Sequence, residues 1–567
     1  MLRRPSGWRA LAIGWSALLL ALIGFGTFST ERPGAITWGQ TSAVWAMAIA
    51  ISDLEYDLDG GLGYREVEGA LASRMTTMSS AVAVHDYGTG NLASMPDVTT
   101  AALRYAASLD EDRFIKGGDP EQGSFVSLGG EDIGFANFLV WAYRIYGYDA
   151  YSPRDLYLTI LFLGFIVFVA VYWRSNAAIA LVTLGVAGLF GVTASGVFVD
   201  GLPSIAANRF LSTLVIIPIL HVICAVLRFA RWRLSFFLAL ALQAWLISFA
   251  VSARSSAGWG PLAFLLVALV ALMAWLALAW WDSRPDTMAR LREWRARMQD
   301  GAVRLVSPRG DLRWRPSPAG PEKQARPFHA AHILAVLLTV LAVNGVANNL
   351  REMRLDPLYS GEGVLGHHPR WHNAYIALAM HPDWPQTKPY PEQNDGLNDN
   401  ISWVAFYAVA EERGINPLHP AGLLRVRVLD EIIKEEYLRF IREHPRYVAE
   451  LFLIYKPIAY WNVSSRLIPT VQPVAWLLML VSAGIAGLML TATSAWNRTA
   501  LWGASVITVG MAQLPAFWAY AADHAFSDQL WSLLFAFLLI VATLVMAGVQ
   551  YSARLRDGPM PAAAPAE

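Results

Sequence analysis

The stretch Gly260-Pro-Leu-Ala-Phe-Leu-Leu-Val-Ala-Leu-Val-Ala-Leu-Met-Ala-Trp-Leu-Ala-Leu-Ala-Trp-Trp281 contains no charged residue. Roughly 20 apolar residues cross the ~30 Å hydrocarbon core of a bilayer as a helix, so this stretch predicts a membrane span. Nine further stretches are long and apolar enough: about 9–28, 156–173, 177–199, 209–227, 234–253, 330–348, 471–493, 500–521 and 529–551. With 55% apolar and 16% charged residues, the chain is predicted to be an all-α integral membrane protein with about ten transmembrane helices.

The distribution of Lys and Arg predicts the orientation of these spans, because positive charge is retained on the cytoplasmic side. The loop 282–329 holds 11 basic against 6 acidic residues. Other basic residues precede the first span or follow even-numbered spans: Arg3, Arg4, Arg9, Arg174, Arg228, Arg231, Arg233, Arg498, Arg554 and Arg556. We therefore expect cytoplasmic N- and C-termini, a retained first span, and a location in the inner or plasma membrane.

This topology divides the chain into spans, cytoplasmic segments and two large outer regions. Residues 1–28 form the N-terminal cytoplasmic end and first span, 155–281 hold spans two to six, 330–348 span seven, and 470–551 spans eight to ten. The loop 282–329 and the tail 552–567 are cytoplasmic. The regions 29–154 and 349–469 are extracytoplasmic and are predicted to be helical. The only cysteine, Cys224, lies in the fourth span, so no disulfide within the chain can hold either region.

The spans carry no Asp, Glu, Lys or Arg in their central parts. Ion-coupled carriers and proton pumps usually need ionisable groups at membrane depth, so this pattern disfavours a secondary transporter. No basic patch interleaved with aromatic residues is present, and we expect no nucleic-acid partner.

The first outer region is acidic, with 17 carboxylates against 8 Lys and Arg. Asp57 and Asp59 belong to one cluster, and Glu131 and Asp132 precede an aromatic helix predicted from residue 135 to 147. The second pair has two interpretations. It lies at a helix N-terminus, where the helix dipole favours carboxylates, or it converges with the first pair as a divalent-cation site or as a base with its orienting group.

The second outer region holds six of the chain's eleven histidines. In Gly366-His-His-Pro-Arg-Trp-His-Asn-Ala-Tyr375, His368 and His372 have the spacing of metal ligands on one helix face. The other interpretation is a cluster that contacts a sugar through aromatic faces and a diphosphate through charged hydrogen bonds. Its candidate residues are Arg370, Trp371, His372, Tyr375 and His368. Lys456 is placed to meet a lipid phosphate at headgroup level, although basic residues there also serve as plain anchors.

The first 175 residues resemble the GT-C superfamily of membrane glycosyltransferases. The resemblance rests on the acidic stretch after the first span, on Asp59-Gly60 with Tyr64 following, and on an acidic element ahead of an aromatic helix that ends Tyr143-Arg-Ile-Tyr-Gly147. It implies a GT-C-like fold and an enzyme that moves a sugar from a polyprenyl-phosphate donor to a glycan, lipid or protein acceptor on the outer face.

The resemblance also implies roles for the acidic residues. Asp57 or Asp59 would act as the catalytic base, Glu131 and Asp132 would occupy the second acidic position, and a divalent cation, Mg²⁺ or Mn²⁺, would bind nearby.

Two other functions remain open at this point. Arg370-Trp-His-Asn-Ala-Tyr375 is similar to the His-Asn element of the O-antigen ligase and polymerase type of transferase, which uses Arg and His of a late outer loop and no metal. The third alternative is a non-enzymatic membrane scaffold or receptor, in which both outer regions are binding surfaces.

Overall fold

The computed structural model of the protein describes residues 5–28, 152–195, 208–227, 232–282, 330–354, 369–417, 425–519 and 526–556, and a few helical positions between 134 and 146. All regular secondary structure in these ranges is helical, which confirms the helical membrane character predicted from composition. The predicted site residues Asp57, Asp59, Glu131, Asp132 and His368 lie outside the described residues.

Two groups of long helices form a bundle, and shorter helices form an insert between them. The first group is α1 (Pro5–Phe28), α2 (Ser152–Tyr172), α3 (Asn176–Ala194), α4 (Ile216–Val226), α5 (Leu234–Ala253), α6 (Trp259–Asp282) and α7 (Ala330–Arg354). The insert contains α8 (Arg370–Ile376), α9 (Asn400–Glu412), α10 (Val426–Glu443), α11 (Pro445–Glu450) and α12 (Lys456–Leu467). The bundle is completed by α13 (Pro473–Thr491), α14 (Ala495–Ala512) with the short helix Leu514–Trp518, and α15 (Phe526–Arg556).

Nine helices in the described part of the chain are long and apolar enough to cross a membrane. They correspond to nine of the ten predicted spans. The predicted fourth span, 209–227, differs because it is broken into the helix Asn208–Leu211, the 3-10 turn Ser212–Val215 and α4. Its continuous apolar part, Ser212–Val226, is shorter than the other nine, and every residue of α4 is buried.

The centre of the bundle is built on α3, in which every residue from Ala177 to Val192 is buried. Glycines make this close packing possible. A Cβ atom on Gly185 would lie 2.5 Å from a methyl carbon of Leu220, and one on Gly191 would lie 2.6 Å from the sulfur of Met479. Small residues at such contacts let neighbouring membrane helices approach closely, and dispersion contacts then stabilise the bundle.

The insert has a hydrophobic core of its own, separate from that of the bundle. The largest helix, α10, buries residues spaced three or four apart, which is the pattern of an amphipathic helix with one face on a core. The core side chains include Tyr375, Trp384, Phe406, Leu429, Ile433, Phe440 and Tyr447. This core fixes α8, and α8 carries the candidate residues Arg370, Trp371 and His372.

Candidate functional site

The N-terminus of α8 is held by a carboxylate from α10. The backbone N–H of Trp371 donates to Asp430 Oδ1 at 2.7 Å. Burial raises the pKa of Asp430, whereas the hydrogen bond from Trp371 and the nearby charges of Arg370 and His372 act in the opposite direction. Asp430 therefore satisfies a helix N–H that lacks an intrahelical partner, and it brings a negative charge close to Arg370 and His372.

His372 lies behind this N-terminus with its ring almost fully buried. Its Nε2 is 3.6 Å from Asp399 Oδ1, and its ring lies 5.4 Å from that of Trp403, measured between centroids. Its Nδ1 is buried and has no hydrogen-bond partner among the described residues. Because the Asp399 side chain is 64% exposed, the imidazole is covered by protein but reaches a carboxylate at the surface.

Arg370 and Trp371 lie where the insert meets the bundle. The Trp371 ring lies 4.9 Å from that of Trp518 and 5.6 Å from that of Tyr437, and Trp518 Nε1 donates to the Arg370 carbonyl at 3.2 Å. Trp518 ends the candidate span Ala495–Trp518, and Arg370 is exposed. The charged and aromatic residues of α8 thus lie at the end of a membrane helix.

Tyr375, a predicted contact to sugar, is placed elsewhere. Its side chain is fully buried in the insert core, edge-on to Trp384. Gln393 Nε2 donates to its hydroxyl at 3.4 Å, and burial raises its pKa. In this arrangement Tyr375 packs beneath α8 and is not exposed, whereas Arg370 is exposed and Trp371 is half-buried.

Lys456, predicted to meet a lipid phosphate, is also buried. Its Nζ donates to three consecutive backbone carbonyls, those of Phe517 at 2.6 Å, Trp518 at 3.1 Å and Ala519 at 3.3 Å. Burial lowers the pKa of this lysine to about 7. The carbonyls of Phe517 and Trp518 end the helix Leu514–Trp518, and that of Ala519 follows it. No N–H within this helix can reach them, so Lys456 fastens α12 of the insert to the end of a membrane helix.

The predicted cation site cannot be placed on the described residues. No three His, Cys, Asp or Glu side chains within them are close enough together to hold a metal ion. The four carboxylates predicted to bind Mg²⁺ or Mn²⁺ all lie outside this part of the chain.

A second polar group, which was not predicted from the sequence, is buried in the bundle on the side of the insert. Asp528, in the first turn of α15, is completely buried, and its carboxylate faces Ser212, Trp259 and Arg254. Arg254 is 3% exposed. We name these four residues the buried polar cluster. The sequence held one signal for it, since Arg254 follows an odd-numbered span and so breaks the pattern that placed arginines on the cytoplasmic side.

The two sites are connected through α12. This helix begins at Lys456, and further along it Ser464 accepts a hydrogen bond of 2.9 Å from Gln529, the residue that follows Asp528. Tyr460, between them, donates to Gln513 of the bundle. One face of α12 therefore runs from the carbonyls at Trp518, beside α8, to the buried polar cluster.

Comparisons of this chain with protein families, with curated proteins and with solved structures found no match.

Proposed function

We propose that the protein is a membrane glycosyltransferase that moves a sugar from a polyprenyl-phosphate donor to an acceptor at the outer face of the membrane. The observation that carries the proposal is the position of Arg370, Trp371 and His372 at the end of the span Ala495–Trp518. The phosphate of a polyprenyl donor lies at this level, just outside the hydrocarbon core. An exposed guanidinium binds phosphate oxygens in a bidentate manner, and an indole face packs against a sugar ring.

The transfer needs a base and a group that holds the departing phosphate. The acceptor hydroxyl loses its proton as its oxygen attacks the anomeric carbon, and the polyprenyl phosphate leaves with the electron pair of the broken bond. In this proposal Asp57 or Asp59 takes the proton, Glu131 and Asp132 hold the second acidic position with Mg²⁺ or Mn²⁺, and Arg370 stabilises the charge on the phosphate.

Binding of polyprenyl phosphate, the product lipid, tests the proposal without knowledge of the sugar. The protein in nanodiscs is titrated with this lipid, and binding is measured by native mass spectrometry. Arg370→Gln is expected to weaken binding about tenfold or more, which is the loss of one charged hydrogen-bonding group. The matched control is Arg427→Gln, because Arg427 is exposed in the same insert and pairs only weakly with Glu431, at 3.5 Å. Equal affinity in both variants would overturn the role of Arg370.

Asp57→Asn and Asp59→Asn test the catalytic step. We expect one of them to abolish sugar transfer while polyprenyl phosphate still binds. Full transfer by both single variants and by the double variant would rule out Asp57 and Asp59 as the base.

A transferase of the O-antigen ligase or polymerase type is the second candidate, and the geometry of His372 favours it. Its imidazole is buried, has one nitrogen 3.6 Å from Asp399 and has the other without a partner among the described residues, as a group that exchanges protons with a substrate requires. In that case His372→Gln abolishes transfer, the Asp57 and Asp59 variants retain it, and EDTA has no effect.

A further inference from the structure

The helix α12 and the π turn Leu451–Tyr455 before it carry apolar side chains on their outside. Ile454, Ile458 and Trp461 are spaced four and three residues apart, so they share one helix face, and Leu453 lies beside Ile454. All four side chains are exposed, Leu453 by 77% and Trp461 by 72%. Single exposed apolar residues are common, but four large ones on one face indicate a contact surface. We name these four residues the apolar face.

The opposite side of α12 is polar and is turned toward the bundle. Lys456, Tyr460 and Ser464 are spaced four apart, on the other side of the helix from the apolar face. Lys456 and Tyr460 donate to groups at the end of the span Ala495–Trp518, and Ser464 accepts from the first turn of α15. A helix packed on a protein in water buries its apolar face and exposes its polar face. The polarity of α12 is the reverse, which indicates apolar surroundings on its outside.

The helix α10 of the same insert has the ordinary polarity. Its buried residues are mostly apolar, and every exposed one is charged. The exposed residues are Arg427, Glu431, Lys434, Glu435, Arg439, Arg442 and Glu443. Because α10 and α12 are joined only by α11 and the π turn, the two kinds of surface belong to one compact unit. The insert therefore has one side suited to water and another suited to an apolar partner.

The apolar face continues the exposed surface of a membrane span. Phe452, next to Leu453 in the chain, has its ring 6.3 Å from that of Phe517. Leu514 and Trp518, at the same end of this span, are themselves exposed apolar residues. Since the exposed apolar side chains of a span contact lipid, the same lipid can extend over the apolar face without crossing a polar boundary.

The orientation and the borders of α12 also fit lipid. The helix contacts the end of one span and the start of the next, α15, so it runs across the ends of the bundle helices. Exposed arginines stand on both sides of the apolar face, Arg446 before it and Arg466 after it. Amphipathic helices that lie in the membrane plane bury an apolar face among acyl chains and place cations at the phosphate level. Trp461 is of the type enriched at that level.

We propose that the apolar face is embedded in the lipid leaflet that surrounds the Trp518 end of the span, with α12 lying in the plane of the membrane. The partner is the hydrocarbon of the bilayer lipids. The insert is then a domain anchored in the membrane along one side, while the charged side of α10 faces water. This inference does not depend on sugar transfer.

Electron paramagnetic resonance of nitroxide labels tests the proposal. Labels are attached in the variants Leu453→Cys, Ile458→Cys and Trp461→Cys, in nanodiscs of phosphatidylcholine and phosphatidylglycerol. The native Cys224 is fully buried, and unlabelled wild type measures its background. Collisions of each label are measured with oxygen, which concentrates in lipid, and with a neutral nickel chelate, which stays in water.

The expected result is a ratio of oxygen to nickel collisions several times higher at these three positions than in the control variant Glu431→Cys, on the charged side of α10. It should approach the ratio in Leu480→Cys, which reports an exposed position of the span α13. A ratio equal to that of Glu431→Cys would overturn the proposal, because the face would then lie in water. An immobilised label that neither reagent reaches would overturn it too, since a protein partner or a second copy of the chain would cover the face.

The unmodified protein gives a second measurement that does not depend on the folding of any variant. Phosphatidylcholine with a diazirine at the end of its acyl chain is added to the nanodiscs and activated by light, and the modified peptides are identified by mass spectrometry. We expect modification within 453–461 and none within α10. Modification of α13 without any within 453–461 would refute the embedding of the apolar face.

Discussion

Replacement of Lys456 by methionine should loosen the joint between the insert and the bundle. Methionine has a similar length but leaves the carbonyls of Phe517, Trp518 and Ala519 without the donor that now lies 2.6 to 3.3 Å away. A buried polar group that loses its partner costs about 1 to 3 kcal/mol. Burial of the Lys456 ammonium is itself unfavourable and lowers its pKa to about 7. Replacement by methionine removes this cost and so offsets part of the loss. We therefore expect the local opening free energy to fall by about 2 to 3 kcal/mol, which is near the low end of the cost of three unpaired carbonyls.

Hydrogen exchange followed by mass spectrometry measures this loss where it occurs. An opening free energy smaller by 2 kcal/mol raises the exchange rate of the affected amides about 30-fold, and the expected segment is 514–519 together with the start of α12. Lys434→Met is the control, since Lys434 is exposed and only approaches the Trp371 ring, at 5.8 Å. If exchange in 514–519 is the same in Lys456→Met as in the wild type, Lys456 does not fasten the insert.

Three further predictions concern packing and charge. Gly487→Ala should destabilise the protein by about 1 to 3 kcal/mol in thermal or SDS unfolding, because the new Cβ would lie 2.6 Å from a backbone carbonyl oxygen of α15. In the control, Gly484→Ala on the same helix, the Cβ meets nothing within 4 Å, and this variant should be neutral or slightly stabilising. Equal effects of the two substitutions would contradict this packing. The free energy of unfolding should rise between pH 7 and 10 by up to about 1.4 kcal/mol per pH unit. The reason is that the pKa of Lys456 is about 7 in the folded protein against an ordinary value of 10.5, so the unfolded chain binds more protons in this range. Unfolding measured as a function of pH should show this rise in the wild type and not in Lys456→Met. Tyr390→Phe removes the hydroxyl that donates to Glu436 at 2.9 Å. Burial raises the pKa of Glu436 and this hydrogen bond lowers it, so the variant should show a higher Glu436 pKa in an NMR titration and a loss of about 1 kcal/mol of stability. An unchanged Glu436 pKa would argue against the hydrogen bond.

The membrane helices were predictable because a single local property, a long apolar run, determines them. The predicted span 234–253 matches α5 at both ends, and the predicted span 260–281 differs from α6 by one residue at each end. The predicted fourth span shows the limit of that reasoning. Composition treats 209–227 as one apolar run, but the chain turns through a 3-10 segment at Ser212–Val215, and what surrounds α4 decides its length.

The candidate site was predictable only where its residues are neighbours in sequence. Arg370, Trp371 and His372 come together because they share the first turn of α8. Their partners could not be predicted, since Asp430 and Trp518 arrive from distant helices. The same holds for the burial of Tyr375, which depends on the face that α8 turns toward the insert core.

The buried polar cluster lay beyond sequence reasoning for a related reason. Asp528 and Arg254 stand at the ends of two predicted spans, where charged residues are common and carry no special meaning. Only the packing of α15 against the segment between α5 and α6 shows that both are buried and close to one another. Whether a charged residue at a span end is exposed or buried is therefore decided by the neighbouring helices.

The complete burial of α4 has a consequence for the biogenesis of the protein. A helix that contacts only protein gains nothing from lipid around it, so its place is set by its neighbouring helices, and three of these, α5, α6 and α7, are synthesised after it. A Cβ on Gly260 of α6 would lie 2.8 Å from Ile219, and His332 of α7 lies 2.5 Å from the carbonyl oxygen of Ala225. Translation of residues 208–227 therefore precedes the completion of their surroundings by more than a hundred residues, since α7 begins at Ala330. The surroundings of α4 are therefore complete only once α7 has been made.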